Sequence, residues 1–389
     1  MLLITLLFWL SSALVFHSYV VYPLILRIKS RGLKQDCDDN TFEPYVDILM
    51  AVYNAEAILE EKVRSAFHSN YPAQKIRFYV GSDASTDQTN ALLARLEKEF
   101  PQLQVIYFGE RTGKIKVINA LFDAIQEKGS TGHILISTDV TALFQPDCIR
   151  NLVRHFIHQD IAAVGANILK MKQRPDGISK QEKAYYDREL LMKHEEGLIW
   201  GTSIGVFGAC FAIRPEDFNR VPEHYLVDDF FITMSILERE RKVVYDMDAC
   251  VTMNLANESR VEFRRKVRIA AGNFQNLSRF YPLLFRMNGL SFAFLSHKVL
   301  RWFGPFLLLS SFITSILLYN VSPVYQWATW CQIFLFFSPL LNFALERIHI
   351  HQKFLKFIAH FFLMNLGILC GFFKYLRGVK SSVWEPTRR

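Results

Sequence analysis

Uncharged apolar runs at the two ends of the chain limit its fold more than any other feature. Residues 2–26 form a run of 25 residues without a charged side chain, longer than the roughly 20 needed to cross a bilayer core. A secretory signal peptide would need a basic stretch before a shorter run, followed by a small-residue cleavage site. No Lys or Arg precedes this run. The sequence therefore predicts an uncleaved transmembrane helix over residues 1–28.

Basic residues on one side of this run predict its orientation. The helix is followed by Arg27, Lys29, Arg31 and Lys34. Because Lys and Arg concentrate in the cytoplasmic loops of membrane proteins, the N-terminus should face outward and the chain after residue 27 should face the cytoplasm.

Two further uncharged runs, 303–319 and 324–345, predict a transmembrane hairpin over residues 303–345. A third membrane segment is predicted over 354–376, with a basic tail over 377–389. The uncharged core of this segment is short, and spanning would put the basic tail outside, so a spanning and a re-entrant or interfacial segment both remain open. Residues 284–302 mix apolar with basic residues and predict an amphipathic helix at the inner surface.

The overall composition excludes several classes of protein. The chain is 51% hydrophobic and 21% charged, with a net charge of +8. This composition excludes a disordered chain, a collagen-like chain and a small chain stabilised by disulfides. Basic residues flank the apolar runs and form no long block, which indicates membrane lipid and not nucleic acid as a partner. Six scattered cysteines without CxxC spacing predict reduced thiols and no cysteine metal site.

Residues 45–283 have the pattern of an α/β domain. Short apolar runs alternate with segments of helical periodicity. The predicted order is strand 46–52, helix 56–68, strand 76–80, helix 87–100, strand 104–108, helix 114–127 and strand 133–137. This order predicts a mixed, mostly parallel sheet covered by helices on both faces.

Polar residues follow three of these predicted strands. Tyr53 and Glu56 come after the first, Asp83 after the second, and Asp139 after the fourth. Ligands bind at the carboxyl ends of parallel strands, so this pattern indicates an enzyme site. Taken singly, Asp83 could form an Asx turn and Asp139 could cap a helix. Rossmann, P-loop, zinc-protease and nucleophile-elbow motifs are absent from the sequence.

The segments AVYNAEAIL (51–59) and GSDASTDQT (81–89) resemble family 2 glycosyltransferases with the GT-A fold. The resemblance is closest to bacterial cellulose-synthase-like membrane members and covers nearly the whole chain. Further similar segments follow in the family's order: RTGKIKVIN (111–119), STDVTAL (137–143), SIGVFGACFAIR (203–214), LVDDFFITMSI (226–236), FRRKVRIAAGN (263–273) and WEPTRR (384–389).

The resemblance implies a role for each candidate residue. Asp229 takes the place of the catalytic base in the family's TED-like motif, with Asp228 as a support or acceptor contact. Two acids at this position would also suit a helix N-terminus. Asp139 is the implied ligand of a divalent cation, Mg²⁺ or Mn²⁺. The implied nucleotide-sugar-binding residues are Tyr53, Glu56, Asp83, Lys114, Asp139, Arg265 and Arg268.

Arg265 and Arg268 are the implied contacts of the leaving diphosphate, because guanidinium matches phosphate with paired donors. A membrane-facing basic cluster is the other interpretation of these arginines. Two family motifs are altered here. The DxD motif has Thr141 in place of its second carboxylate, and QxxRW has Arg265 and Ile269 in place of Gln and Trp. The second change argues against synthesis of long polymers.

The resulting prediction is a multi-pass protein of the bacterial inner membrane with a cytoplasmic catalytic domain. It would be an inverting glycosyltransferase that moves a sugar from a nucleotide-diphosphate sugar, UDP-linked by resemblance, to a lipid-linked or growing surface glycan. Export or synthase-complex proteins are possible partners. The alternatives are a processive polysaccharide synthase, a polyprenyl-phosphate monosaccharide transferase, and a non-catalytic partner in a synthase complex.

Overall fold

A computed structural model describes residues 1–34, 41–171, 179–254, 259–348, 350 and 352–379. The chain divides into two compact units. The α/β unit comprises 30–174 and 186–256, and the helical unit comprises 1–29, 175–185 and 257–378. The C-terminal motif WEPTRR, including Trp384, lies outside the described residues.

The α/β unit is built on an eight-stranded sheet. Its strands are β1 Val46–Val52, β2 Ile76–Asp83, β3 Leu103–Phe108, β4 Ile134–Thr138, β5 Leu143–Phe144, β6 Ile161–Met171, β7 Cys210–Ile213 and β8 Lys242–Asn254. The strand order is β3-β2-β1-β4-β7-β6-β8-β5. The ladders β3-β2-β1-β4 and β6-β8 are parallel. Strand β7 is antiparallel to its neighbours β4 and β6, and β5 is antiparallel to β8. The predicted mixed, mostly parallel sheet is confirmed.

The helices of this unit surround the sheet, and several of them pack on it through one apolar face. Numbering helices along the whole chain, they are α3 Leu59–Phe67, α4 Thr89–Glu99, α5 Lys114–Glu127, α6 Cys148–Val153, α7 Ser179–Trp200 (within this unit from residue 186) and α8 Asp228–Glu238. In α5, for example, Ile118, Leu121 and Ile125 are buried at helical spacing. The four strands and three helices predicted from the sequence are all present, with ends that differ by up to three residues.

The strand whose predicted end differs most from the structure is β2, and the reason lies in its packing. Strand β2 was expected to end at Val80, before a glycine, but it continues to Asp83. A Cβ built on Gly81 would lie 2.2 Å from Val117 Cγ1 of α5. Gly81 is therefore required for the close approach of α5 to the sheet, and it does not mark a turn.

The helical unit contains the apolar runs. Its helices are α1 Leu2–Phe16, α2 Tyr22–Lys29, α9 Ser259–Phe280, α10 Gly289–Ala293, α11 Leu300–Trp302, α12 Gly304–Leu317, α13 Pro323–Arg347 and α14 Lys353–Leu376. Short π-helical turns at His17–Val21 and Phe294–Val299 join α1 to α2 and α10 to α11.

Three helices among the described residues have the length and apolar character to cross a membrane: Leu2–Lys29, Pro323–Arg347 and Lys353–Leu376. The last of these has 24 residues, so the third C-terminal segment is longer than its uncharged core suggested. The predicted first arm of the hairpin, α12, has only 14 residues. It meets that test only together with Gly289–Trp302, from which it is bent by 64°. The predicted domain boundaries stay predictions.

Candidate active site

Loops at the ends of β1 and β2 are hydrogen-bonded to each other. Asn54, at a positive φ of 47°, accepts from the Thr86 amide at 2.8 Å. Glu56 Oε2 accepts from the Gln88 amide at 2.9 Å, and the Glu56 amide donates to Asp87 Oδ2 at 3.2 Å. The exposed Glu56 carboxylate therefore holds the second loop at the entrance of α4.

Asp83 is a buried anchor for the next loop. Its carboxylate is 1% exposed and accepts from the Thr112 amide, the Thr112 hydroxyl and the Gly113 amide at 2.6, 3.0 and 3.1 Å. These bonds fix the chain where Gly113, at a φ of 91°, leads into α5. The predicted contact of Asp83 with a nucleoside stays a prediction.

Arg111 connects Asp83 to Tyr53, and the sequence analysis did not select it. Its guanidinium carbon lies 3.3 Å from the centroid of the Tyr53 ring, and its Nε lies 3.2 Å from Asp83 Oδ2. A cation over the face of a tyrosine ring is attracted by the ring quadrupole. Arg111 could have been selected from the sequence, because it lies in the segment RTGKIKVIN directly before the loop that Asp83 anchors.

Lys114 joins the carboxylates that follow β4 and begin α8. Its Nζ lies 3.1 Å from Asp139 Oδ1 and 3.3 Å from Asp228 Oδ2. Burial alone would lower the pKa of Lys114, but the charges of Asp139, Asp228 and Asp229 outweigh it and hold that pKa above its ordinary value. Lys114 is therefore a firmly charged ammonium amid three carboxylates.

The surroundings of Asp229 raise its pKa and so make it a stronger base. Its Oδ2 accepts from the Gly208 amide at 2.6 Å, and its Oδ1 accepts from the Phe230 amide at 2.7 Å. Burial and then the neighbouring charge of Asp228 raise the pKa of Asp229, against the opposite effects of Lys114, Lys193 and the Gly208 amide. A raised pKa makes a carboxylate a better proton acceptor near neutral pH.

One loop links Asp229 to Asp139. Three successive amides of this loop, those of Val206, Phe207 and Gly208, donate to Thr233 Oγ1, Tyr245 Oη and Asp229 Oδ2, at 3.0, 2.7 and 2.6 Å. The next carbonyl, that of Ala209, accepts from the Asp139 amide at 2.9 Å. This loop, residues 206–209, therefore sets the spacing of the two carboxylates. Sequence reasoning missed Thr233 and Tyr245, because neither stands at a strand end.

Lys62 supports the Asp139 turn from within the protein. Its fully buried Nζ donates to Thr138 Oγ1 at 2.9 Å and to the Ala142 carbonyl, and it lies 3.7 Å from the centroid of the Phe144 ring. Burial lowers the pKa of Lys62 to about 8. The sequence held a signal that was not used, since Lys62 lies on the same face of α3 as the buried Leu59, Val63 and Ala66.

A divalent cation fits this site only if protein and substrate together supply its ligands. No group of three or more His, Cys, Asp or Glu suited to a metal occurs among the described residues. Asp139, whose side chain is 38% exposed, offers one carboxylate. Magnesium is often held by one or two carboxylates together with substrate phosphates and water. Asp139 together with the two phosphates of the expected nucleotide-sugar would meet that requirement.

Arg265 and Arg268 lie on α9 of the helical unit. The guanidinium of Arg265 is paired with the buried Glu262 on the same helix, with Nε 3.0 Å from both carboxylate oxygens. The structure therefore brings together Lys114, Asp139, Asp228 and Asp229 in the α/β unit. The predicted contact of the two arginines with the leaving diphosphate stays a prediction.

Comparison with known proteins agrees with this architecture. Residues 47–221 match the family model described as Glycosyl transferase family 2. The beta-monoglucosyldiacylglycerol synthase of Synechocystis sp. is 24% identical over 208 residues, which are 51% of this chain and 42% of that protein. The synthase of the same name from Nostoc sp. is 28% identical over 123 residues, 31% of this chain and 25% of that protein. The chain thus matches less than half the length of these relatives.

A solved structure is similar over almost the whole chain. It is the mannosyltransferase PcManGT from Pyrobaculum calidifontis, in complex with GDP-Man and Mn²⁺. The TM-score is 0.68 with 19% identity, and the match covers 95% of this chain and 99% of that one. This likeness confirms the predicted GT-A fold. Residues 47–221 therefore match glycosyltransferase family 2, and almost the whole chain shares the fold of a solved glycosyltransferase.

Proposed function

We propose that this protein is a membrane-bound, inverting glycosyltransferase that moves a sugar from a nucleotide-diphosphate sugar to a lipid acceptor. The observation that carries the proposal is the arrangement of Asp139, Asp228 and Asp229 around the ammonium of Lys114, beside the ends of parallel strands. A GT-A sheet supplies the nucleotide-binding edge, and the three apolar helices supply the attachment to a membrane.

Asp229 is the general base of the proposed reaction. It takes the proton of the acceptor hydroxyl as that oxygen forms a bond to the anomeric carbon. The bond from the same carbon to the donor phosphate breaks, and the nucleoside diphosphate leaves with its electron pair. Attack opposite to the leaving group inverts the configuration. The raised pKa of Asp229 favours proton transfer, and its bond from the Gly208 amide keeps the carboxylate oriented.

Negative charge builds up on the diphosphate as it leaves. A divalent cation, Mg²⁺ or Mn²⁺, held by Asp139 would stabilise that charge. Lys114 adds a fixed positive charge at the same place, and Arg265 and Arg268 are the further candidates by family resemblance. Tyr53, Glu56 and Asp83 are proposed to position the nucleoside. Their loops are already hydrogen-bonded, which lowers the entropy cost of ordering them on binding.

The acceptor is proposed to be a lipid, in accord with the names of the curated relatives, which are glucosyldiacylglycerol synthases. The helical unit also suits a membrane surface. Its segments 1–29, 175–185 and 257–378 contain 18 Lys and Arg against five Asp and Glu. Such an excess attracts anionic lipid and favours the cytoplasmic side of the bacterial inner membrane. The altered QxxRW motif argues against a processive polysaccharide synthase.

Label transfer in isolated membranes tests the proposal. Radiolabelled UDP-glucose, UDP-N-acetylglucosamine and GDP-mannose would each be supplied with Mg²⁺ or Mn²⁺. Wild type should move label from one donor into solvent-extractable lipid, and Asp229→Asn should lower the rate about 10²–10⁴-fold, the usual contribution of a general base. Asp123→Asn, at an exposed ion pair with Arg220, is the matched control and should retain the rate.

Three outcomes would contradict the proposal. Unchanged transfer by Asp229→Asn would remove the assigned base. Label found only in a non-extractable polymer would favour a processive synthase. Nucleotide binding without transfer from any donor would favour a non-catalytic partner of a synthase.

A further inference from the structure

Lys114 places a positive charge beside Asp139, the carboxylate that would hold a divalent cation. The Nζ atom lies within 3.3 Å of carboxylate oxygens of both Asp139 and Asp228. The three side chains are 21%, 38% and 19% exposed, so the group is open enough for a ligand to reach it. The ammonium already neutralises part of the charge that would attract a second cation.

This chain lacks the second carboxylate of the DxD motif, which would offset the positive charge of Lys114. Thr141 stands at that position, and its hydroxyl donates to Met253 Sδ on β8 at 3.5 Å. A divalent ion held by Asp139 would therefore bind a carboxylate that is already ion-paired, because Lys114 Nζ lies 3.1 Å from Asp139 Oδ1. Two cations that share one carboxylate repel each other in a partly buried site.

We infer that Lys114 is an internal competitor of the metal, so that the divalent cation binds Asp139 only together with the donor diphosphate. The phosphates draw the Lys114 ammonium from Asp139 and supply the oxygen ligands that the protein lacks. Metal and nucleotide then bind cooperatively, and each raises the affinity for the other by the same factor. The inference rests on the proposed function, because it concerns the metal of that site.

Binding of Mn²⁺ to the full-length protein in detergent, followed by the paramagnetic resonance signal of free Mn²⁺, tests this inference without any turnover. Wild type should bind Mn²⁺ weakly alone and at least about tenfold more tightly with UDP or GDP present, within the usual range of coupling between sites. Lys114→Met should bind Mn²⁺ alone at least about tenfold more tightly than wild type does, and should lose most of the gain from nucleotide.

Three variants serve as comparisons. Lys114→Gln is a second neutral variant and should behave like Lys114→Met, which keeps the test valid if one of them fails to fold. Lys114→Arg keeps the charge and should bind Mn²⁺ alone as weakly as wild type. Lys116→Met removes an exposed lysine two residues away, paired with Glu223, and should leave both affinities unchanged.

The inference would be overturned if both neutral variants bound Mn²⁺ without nucleotide only as tightly as wild type does. Weaker binding by those variants would overturn it too. If wild type still transfers sugar in the membrane assay, the proposed function survives that result. If no variant binds Mn²⁺ with any nucleotide and no transfer occurs, the inference and the proposed function fail together.

Discussion

Lys62 gives a quantitative test of how the buried part of the site is built. The side chain is fully buried below the Asp139 turn, and burial lowers its pKa from 10.5 to about 8, although Cys210, Cys148 and Asp139 act in the opposite direction. The unfolded chain keeps this proton up to about pH 10.5, whereas the folded protein releases it near pH 8. Between these values the unfolded state binds more protons, so the contribution of Lys62 to stability rises with pH.

The size of the effect follows from the two pKa values. Between pH 7 and pH 9.5 the free energy of unfolding should rise by about 2 kcal/mol through Lys62 alone. For a domain of this size that corresponds to about 4–8 °C in Tm. The neutral amine still has two N–H groups for Thr138 Oγ1 and the Ala142 carbonyl, so its hydrogen bonds persist after deprotonation.

Lys62→Met is the informative perturbation, since Met is similar in length but has no proton to release. Tm would be measured for the full-length protein in detergent at pH 7 and pH 9.5. Wild type should gain about 4–8 °C relative to Lys62→Met over this range, whatever their difference at pH 7. Lys98→Met, at an exposed position of α4, controls for the loss of a lysine. A Tm difference between wild type and Lys62→Met that is the same at both pH values would refute the reasoning.

Two further predictions concern Asp229. In Gly208→Ala the new Cβ would lie 2.8 Å from Asp229 Oδ2. Losing the charged hydrogen bond there, worth about 1.5–3 kcal/mol, should lower kcat about 10–150-fold. Gly109→Ala, where nothing lies within 4 Å of the added Cβ, should keep full activity, and equal rates for the two variants would count against the assigned contact. Because the charge of Asp228 raises the pKa of Asp229, Asp228→Asn should move the acid limb of the pH–rate profile to lower pH. Rates measured between pH 5 and 9 would show this, and a shift to higher pH would contradict it.

Much of the site could be predicted because it lies at strand ends. Asp83 ends β2, and Asp139 directly follows β4. Both strands flank β1, so a parallel sheet brings their loops to one edge. Asp228 and Asp229 were selected by family resemblance, and the structure brings them to Lys114 and Gly208. Arg265 and Arg268 were selected in the same way, but they lie on α9 of the other unit.

Most of the residues that sequence reasoning missed are buried polar partners. Lys62 bonds to a residue 76 positions away, and Tyr245 bonds to one 38 positions away. A lysine in a helix and a tyrosine in a strand carry no local sign of such partners. Only tertiary packing, which brings Lys62 of α3 to Thr138 of β4 and Tyr245 of β8 to the loop of residues 206–209, makes them part of the site.

The sequence by itself determined the elements and their order, since burial periodicity and uncharged runs are local properties of the chain. It also determined which strands end in carboxylates. Only the tertiary structure decided that one ammonium, Lys114, is shared by Asp139 and Asp228, and that Asp229 accepts a hydrogen bond from the Gly208 amide. The physical reason is that pKa values and metal affinity depend on distances of a few ångströms between residues far apart in sequence.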